Sequence, residues 1–430
     1  MKYILIIGDG MADDPVPELG GKTPLQYAET NTLDMLAGAG SLGLATTIPE
    51  GMPAGSDTAI LSIFGCDPRK YYAGRAPLEA AATGIKLSPG DIAYRCNLIS
   101  IEDGCIPFED KKILSHSAGA IDGDQSDSLV RELFNAPVFK EAANKAGMII
   151  YPGNSFRHIA VKQGDRGCDR GTGSCHTSMT ETCPPVTSPS LTPPHDHLGE
   201  SLGQHLPKNN YNATVLEELI RLSHEFLDDH PINKQRRADG KLPANCIWFW
   251  AEGTTIELPN FTEKYGKTGS MISAVPLCRG IGVLIGLEKI IVDGATGELH
   301  TNYEGKVDAG ISALSTHDFV TIHIEAPDEC THNGDLKGKI QAIEWIDSRI
   351  VAPLMNRLNE AGTEYKMLVI SDHRTLSSTR GHDSGPVPFI LYNSKTADSK
   401  KLSKMSYCEE NAAKNGFMIE GTELLHLLFK

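Results

Sequence analysis

The chain opens on a run of five apolar residues, 3–7 (Tyr-Ile-Leu-Ile-Ile), closed by Gly8-Asp9-Gly10. An unbroken apolar run of this length, with no polar alternation, predicts a strand buried on both faces of a parallel sheet. Asp9 then falls just past its carboxyl end. Residues 23–37 carry helical spacing, with Thr23 as cap, Pro24 in the first turn, and Leu25, Ala28, Leu33 and Leu36 as an inner face. Residues 38–55 are Gly-rich and read mostly as turns. The alternation returns near Gly269: an apolar stretch, a Gly-containing helix reaching Ile285, a strand at 289–292, a helix at 307–314 and a strand at 319–324. A helix at 337–359 and strands at 367–370 and 389–392 complete it. Strand and helix alternating in this way predict a doubly wound α/β sheet.

The middle of the chain, residues 91–262, follows a different pattern. Helical stretches at 126–146 and 212–229 are joined by short strands such as 247–250 and by an irregular passage, 164–207, rich in Gly, Ser, Thr and Pro. That passage is too long for an ordinary connection. Because the α/β alternation resumes after it, the pattern predicts a discontinuous core, 1–90 with 263–430, and an inserted second α/β domain, 91–262. Clefts between domains are frequent ligand sites.

Composition narrows the function classes. With 430 residues, 40% hydrophobic and 22% charged, the chain can bury a large core without disulfides or a structural metal, so stability alone does not explain its Cys and His residues. Forty basic against 55 acidic side chains give a net charge of −15, which argues against nucleic acid or an anionic membrane as partner. No apolar run approaches the roughly 20 residues of a membrane span, and the run at 3–7 is too short for a signal-peptide core. The ten Cys form no CxxC pair, which reads as reduced thiols in the cytosol.

Candidate chemistry gathers where strands end. Asp9 follows the first strand, Asp328 and His332 follow 319–324, Asp372-His373 follow 367–370, and His382 precedes 389–392. In open α/β sheets, ligands bind outside the carboxyl ends of strands, so residues hundreds of positions apart can converge there. Three Asp and three His exceed what one open catalytic metal needs, and mixed carboxylate and imidazole donors suit Mn²⁺ or Zn²⁺, with Mg²⁺ a further choice. Two divalent ions are expected. The candidate nucleophile is Ser56 in Pro53-Ala-Gly-Ser-Asp-Thr-Ala59. A helix starting at Asp57 would aim its N-terminal N–H groups at an incoming phosphate.

These motifs together resemble a known family. Gly8-Asp9-Gly10, Gly55-Ser56-Asp57, Gly74-Arg75-Ala76-Pro77-Leu78-Glu79-Ala80, Glu325-Ala326-Pro327-Asp328 with His332, Asp372-His373, and His382 before Pro386-Val387-Pro388 are similar to cofactor-independent phosphoglycerate mutase. The likeness is to its archaeal-type branch, within the alkaline phosphatase superfamily. The resemblance implies an alkaline-phosphatase-like core, one metal on Asp328, His332 and His382, and another on Asp9, Asp372, His373 and the oxygen of Ser56. It also implies that Ser56 takes the phosphoryl group from 3-phosphoglycerate and returns it to the 2-hydroxyl of glycerate, without bisphosphoglycerate. Similar machinery could serve another small alcohol, as a homoserine kinase would, or water, as a phosphomonoesterase would.

The substrate is then a small phosphorylated hydroxy acid, whose carboxylate calls for cations. Arg grips a carboxylate with two bonds; Arg75, Arg95, Arg157 and its neighbour His158 are the candidates. Arg236 and Arg237 read as a solvated loop. Cys168, Cys175, His176 and Cys183 have spacings that match no common zinc site. His195-Asp196-His197 reads as an exposed polar loop, and Trp248 and Trp250 alternate as packing residues of a strand do.

Overall fold

The computed structural model describes residues 1–153, 155–164, 191–208, 211–397 and 405–430. Cys168, Cys175, His176 and Cys183 lie outside the described residues. Two compact units emerge: Met1–Tyr72, Ala81–Thr83 and Ile256–Lys430 form one, and Ala73–Ala80 with Gly84–Thr255 the other.

The apolar run at the start of the chain becomes the strand Lys2–Gly8, in the middle of an eight-stranded sheet. The order across that sheet is Met418–Glu420, Ser41–Thr46, Val387–Asn393, Tyr365–Ile370, Lys2–Gly8, Phe319–Ile324, Gly269–Ile272, Glu288–Ile290. Lys2–Gly8 runs parallel to both neighbours, with Gly8 opposite Ile324 and Ile7 opposite Ile370. Only Val387–Asn393 is antiparallel to the strands beside it. Ile4 and Ile6 join one core layer with Leu33, Leu36, Ile343 and Leu354 from flanking helices. On the other face, Tyr3 meets the Phe429 ring at 5.0 Å and Phe319 stacks on Phe261 at 5.1 Å. Covering both faces with helices is why the run has no polar alternation.

Three local expectations are corrected. Residues 23–37 are not one helix: Pro24–Tyr27 has a Thr23/Gln26 capping box, Ala28 turns out into extended backbone, and Asn31–Ala39 follows. Within 38–55, expected as turns, lies the strand Ser41–Thr46. Its Gly43 is needed for close packing, since a Cβ there would sit 2.7 Å from the Phe417 carbonyl oxygen. The helix expected over 337–359 is interrupted by a π-turn, Ile346–Val351, between Leu336–Trp345 and Ala352–Glu360. Pro353, which has no N–H for the helical ladder, stands just after that turn.

The second unit is built on an antiparallel sheet in which Ile92–Ile101 pairs with Ile113–Ser115, Arg157–Lys162 and Cys246–Thr254. Met148–Tyr151 adds to the far side of Arg157–Lys162. The helix expected over 126–146 is two, Gly123–Asn135 and Pro137–Lys145, because Pro137 starts a new helix rather than continuing the old one. Tyr211–Leu227 packs against Cys246–Thr254. Arg236 and Arg237, expected in a loop, lie on the helix Pro231–Ala238. Arg236 is buried and donates to the Ala118 and Leu242 carbonyls, while Arg237 pairs with Asp103 and Asp228.

Candidate active site

Three adjacent parallel strands, 319–324, 2–8 and 365–370, end nearly level, and the loops beyond them deliver the acidic and imidazole residues side by side. Asp9 is fixed by its backbone N–H donating to the Ile324 carbonyl at 2.9 Å. The Asp372 carboxylate accepts from the N–H groups of Gly10 at 3.1 Å and His373 at 2.8 Å. Gly10 has φ +63, and a Cβ on it would come within 2.5 Å of the Thr375 hydroxyl and 2.8 Å of the Asp328 carboxylate. Any other residue would be strained there and would fill the site.

Asp328 sits on the helix Ala326–His332, which brings His332 one turn later onto the same face, its Nε2 3.1 Å from Asp328 Oδ2. His382 comes from a hairpin of Arg374–Leu376 with Gly381–Asp383. Its Nε2 lies 3.3 Å from Asp328 Oδ1 and 2.9 Å from His332 Nε2. Ser56 is the first residue of the helix Ser56–Ile63, one position before the start expected at Asp57. Its Oγ is 3.3 Å from Asp9 Oδ2 and 3.1 Å from His373 Nε2.

All seven residues singled out in the sequence for metal and nucleophile are therefore neighbours. Six of them, all but Ser56, fall with His323 into three overlapping sets of donor atoms, each within 4.8 Å: Asp328, His332 and His382; Asp9, Asp328 and His373; and Asp9, Asp372 and His323. His323 was not foreseen. It is fully buried, with Nε2 3.0 Å from Asp9 Oδ2 and Nδ1 3.2 Å from the Ser273 hydroxyl. The available signal was a lone imidazole inside the otherwise strand-like run 319–324. Thr375, also unforeseen, donates its hydroxyl to Asp328 Oδ1 at 2.5 Å.

Electrostatics set these groups apart from ordinary carboxylates. Burial, then the charges of Asp372, Asp328 and Glu325, hold the Asp9 carboxyl well above its usual range. Burial also pushes Asp328 up, but hydrogen bonds with His332 and His382 and the His373 and His382 charges outweigh it, leaving Asp328 well below. The Asp328 bond raises His332 to about 9, whereas burial takes His323 down to about 4. Asp9 Oδ1 and Asp372 Oδ2 are buried with no hydrogen-bond partner among the described residues. Carboxylate oxygens without a hydrogen-bond partner, beside imidazole nitrogens in a buried cluster, are the donor chemistry of divalent cations, so the residues fit such ions.

In the second unit the four candidate substrate residues divide. Arg95 is buried and committed: its guanidinium forms a two-bond ion pair with Glu79, Nε to Oε2 at 2.8 Å, and lies 4.5 Å over the Trp250 ring. His158 is hydrogen-bonded at both ring nitrogens: Nδ1 accepts from the Gly153 N–H at 2.9 Å and Nε2 meets the Ser126 hydroxyl at 3.1 Å. Burial pushes its pKa down to about 4, so the ring is neutral. Arg75 keeps donor capacity, its buried Nε having no partner among the described residues. Crowding by neighbouring atoms, then Arg95, brings Arg157 down to about 10 although the residue is exposed to solvent. An anion beside it would relieve the repulsion from Arg95. Trp248 and Trp250 pack, donating to the Thr192 carbonyl at 2.9 Å and to Asn97 Oδ1 at 3.0 Å.

Fold and donor set define the class as an α/β protein that gathers carboxylates and imidazoles past the carboxyl ends of parallel strands. A family model described as 2,3-bisphosphoglycerate-independent phosphoglycerate mutase matches residues 37–233. The chain is 43% identical over 432 residues to the protein of that name from Methanosarcina acetivorans, covering 100% of both chains. It is 42% identical to a probable 2,3-bisphosphoglycerate-independent phosphoglycerate mutase from Geobacter sulfurreducens, covering 100% of this chain and 99% of that one. Among solved structures, a protein from Pyrococcus horikoshii superposes with a TM-score of 0.76 at 28% identity, over 99% of this chain and 96% of that one. The cofactor-independent phosphoglycerate mutase of Thermoplasma acidophilum shares the fold, with a TM-score of 0.59 at 24% identity over 100% and 99% of the two chains. The chain belongs to the 2,3-bisphosphoglycerate-independent phosphoglycerate mutase family.

Proposed function

We propose that this protein interconverts 3-phosphoglycerate and 2-phosphoglycerate in the cytosol without bisphosphoglycerate, by way of a phosphoserine on Ser56. The observation that carries this reading is the Ser56 hydroxyl, held at the N-terminus of an eight-residue helix within hydrogen-bond distance of Asp9 and His373. Full-length relatives named for the same activity support it.

Asp328, His332 and His382 would hold one divalent ion, and Asp9, Asp372, His373 and Ser56 Oγ a second. Mn²⁺ suits this mixed donor set, and the pair would supply charge neutralisation at the phosphate and a lowered pKa at the serine hydroxyl. Ser56 Oγ attacks phosphorus, the bond from phosphorus to the substrate O3 breaks, and glycerate leaves with a proton on O3. Glycerate then reorients, and its 2-hydroxyl attacks the phosphoserine, freeing Ser56. The positive end of the helix dipole at Ser56 favours the transferring phosphate. Arg75 and Arg157 have the chemistry to grip the substrate carboxylate. Water must be kept from the phosphoserine, or hydrolysis would end the cycle.

The test is to give Mn²⁺-loaded protein 3-phosphoglycerate alone and follow 2-phosphoglycerate by phosphorus NMR. Its appearance is expected. Release of inorganic phosphate instead would make the protein a phosphomonoesterase, and phosphorylation of homoserine from ATP would make it a kinase; either outcome overturns the mutase reading.

A further inference from the structure

The second unit contains another group of potential ligands, which the proposed reaction does not use. His197 ends the short turn Pro194–His197, His205 ends the helix Leu202–His205, and Glu200 lies between them. One donor atom from each of the three lies within 4.8 Å of the others. Glu200 Oε2 is 2.7 Å from His205 Nε2 and 3.3 Å from His197 Nδ1. The two imidazoles stack face to face, with centroids 3.9 Å apart and planes inclined by 23°.

Two features distinguish this group from a chance surface contact. His197 Nδ1 is a buried atom of a partly exposed side chain, 3.3 Å from Glu200 Oε2 but not aligned for a good hydrogen bond with it. The backbone that carries the group is also fixed: Ile113 N–H donates to the Glu200 carbonyl at 3.0 Å, Gly199 N–H to the Ile113 carbonyl at 2.8 Å, and Leu202 N–H to the Lys111 carbonyl at 2.9 Å. A site whose backbone is already ordered loses little conformational entropy on binding.

We propose that His197, Glu200 and His205 form a third metal site, separate from the candidate active site, which takes a zinc-class divalent ion with two imidazole nitrogens, one carboxylate oxygen and a water. Two His and one carboxylate are an established zinc donor set, about 2.0–2.2 Å from the ion when bound. Binding replaces the contact between Glu200 and His205 and turns the three donor atoms onto the ion by small side-chain rotations. The ion ties the turn at 194–197 to the helix at 202–205, so its role is to fasten this stretch of the second unit rather than to take part in phosphoryl transfer.

The test compares the full-length protein with a His197→Ala/His205→Gln variant and with Glu200→Gln. Each is loaded with zinc chloride, passed through a desalting column and counted for bound metal; each is also titrated with cobalt chloride while visible absorption is followed. The wild type should retain one more equivalent of zinc than the double variant and develop the visible band of four-coordinate cobalt, which the double variant lacks. Glu200→Gln should weaken zinc at least tenfold. Mutase activity with Mn²⁺ should be unchanged in all three, and equal melting temperatures without metal would exclude unfolding as the cause. Equal zinc retention and identical cobalt spectra in wild type and double variant would overturn the proposal, leaving a hydrogen-bonded His–Glu pair. Because mutase turnover is measured separately, failure of this site and failure of the mutase reading are distinguishable.

Discussion

The hydroxyl of Ser56 lies 3.1 Å from Nε2 of His373, although 317 residues separate them along the chain. The serine sits at a helix N-terminus and the imidazole just beyond a parallel strand, so both belong to rigid elements rather than to loop tips. A nucleophile held in this way needs little reorganisation to react.

Ser56→Ala should lower turnover by at least about 10³-fold, the scale seen when a covalent nucleophile is removed. Only one half-buried hydroxyl is lost, so the melting temperature should barely change. Steady-state rates and thermal melts on the same preparation check both halves, and retention of full activity would remove Ser56 from the reaction.

Chelation should abolish activity and lower the melting temperature, and Mn²⁺ should restore both. Without cations, Asp9 and Asp372 keep unpaired oxygens in a buried cluster of like charges, and an ion that binds only the folded state stabilises it by mass action. Calorimetric melts with and without chelator test this; superimposable melts would contradict it.

His323→Asn should weaken metal binding by about 10–100-fold, the usual effect of removing a group that orients a ligand. His323 touches Asp9 Oδ2 from inside the sheet. Its loss should raise the Mn²⁺ concentration needed for half-maximal rate while leaving the rate at saturating Mn²⁺ largely intact. An unchanged Mn²⁺ requirement would assign His323 to packing alone.

Glu79→Gln should destabilise the protein by about 3–5 kcal/mol, because it strands the buried Arg95 guanidinium without its counter-charge. Burial pushes the Glu79 carboxyl up, yet Arg95, Arg157 and Arg75 together bring it below its ordinary value. A depressed carboxylate contributes stability that is present in full above the unfolded-state value, about 4.3, and is lost as pH falls through the lower folded-state value. Urea melts should therefore show a shallower acid limb for Glu79→Gln than for wild type below about pH 4.3.

Arg157→Ala should reduce kcat/KM for 3-phosphoglycerate by about 10–100-fold, the worth of one charge-assisted hydrogen bond. If Arg157 grips the carboxylate in ground and transition states alike, most of the loss will appear in KM. Kinetics with an unchanged KM and kcat would remove it from the substrate site.

Much of the sheet was legible because its strongest strands are local patterns. Residues 3–7 and 319–324 are runs that only a doubly covered parallel strand accommodates, and the observed strands Lys2–Gly8 and Phe319–Ile324 differ from them by at most one residue at either end. Ser41–Thr46 was not legible, since a glycine inside a short strand, with another just before it at Gly40, looks like a turn until Phe389 and Phe417 are known to crowd Gly43. Nor was the break at Ala136, where the apolar spacing runs straight through a proline.

The sequence by itself determined which residue types stand past the ends of strands, because strand ends and helix caps depend on neighbours a few positions away. The order of strands across the sheet was decided only by tertiary structure. Setting Lys2–Gly8 between Tyr365–Ile370 and Phe319–Ile324 turns three distant acidic loops into one cluster, and that order reflects packing over hundreds of residues. The same holds for His323, buried against Asp9, and for Arg95, which the sequence offered as a substrate ligand and the fold spends on Glu79. A side chain's partner is fixed by the shape of the interior around it, which no local pattern encodes.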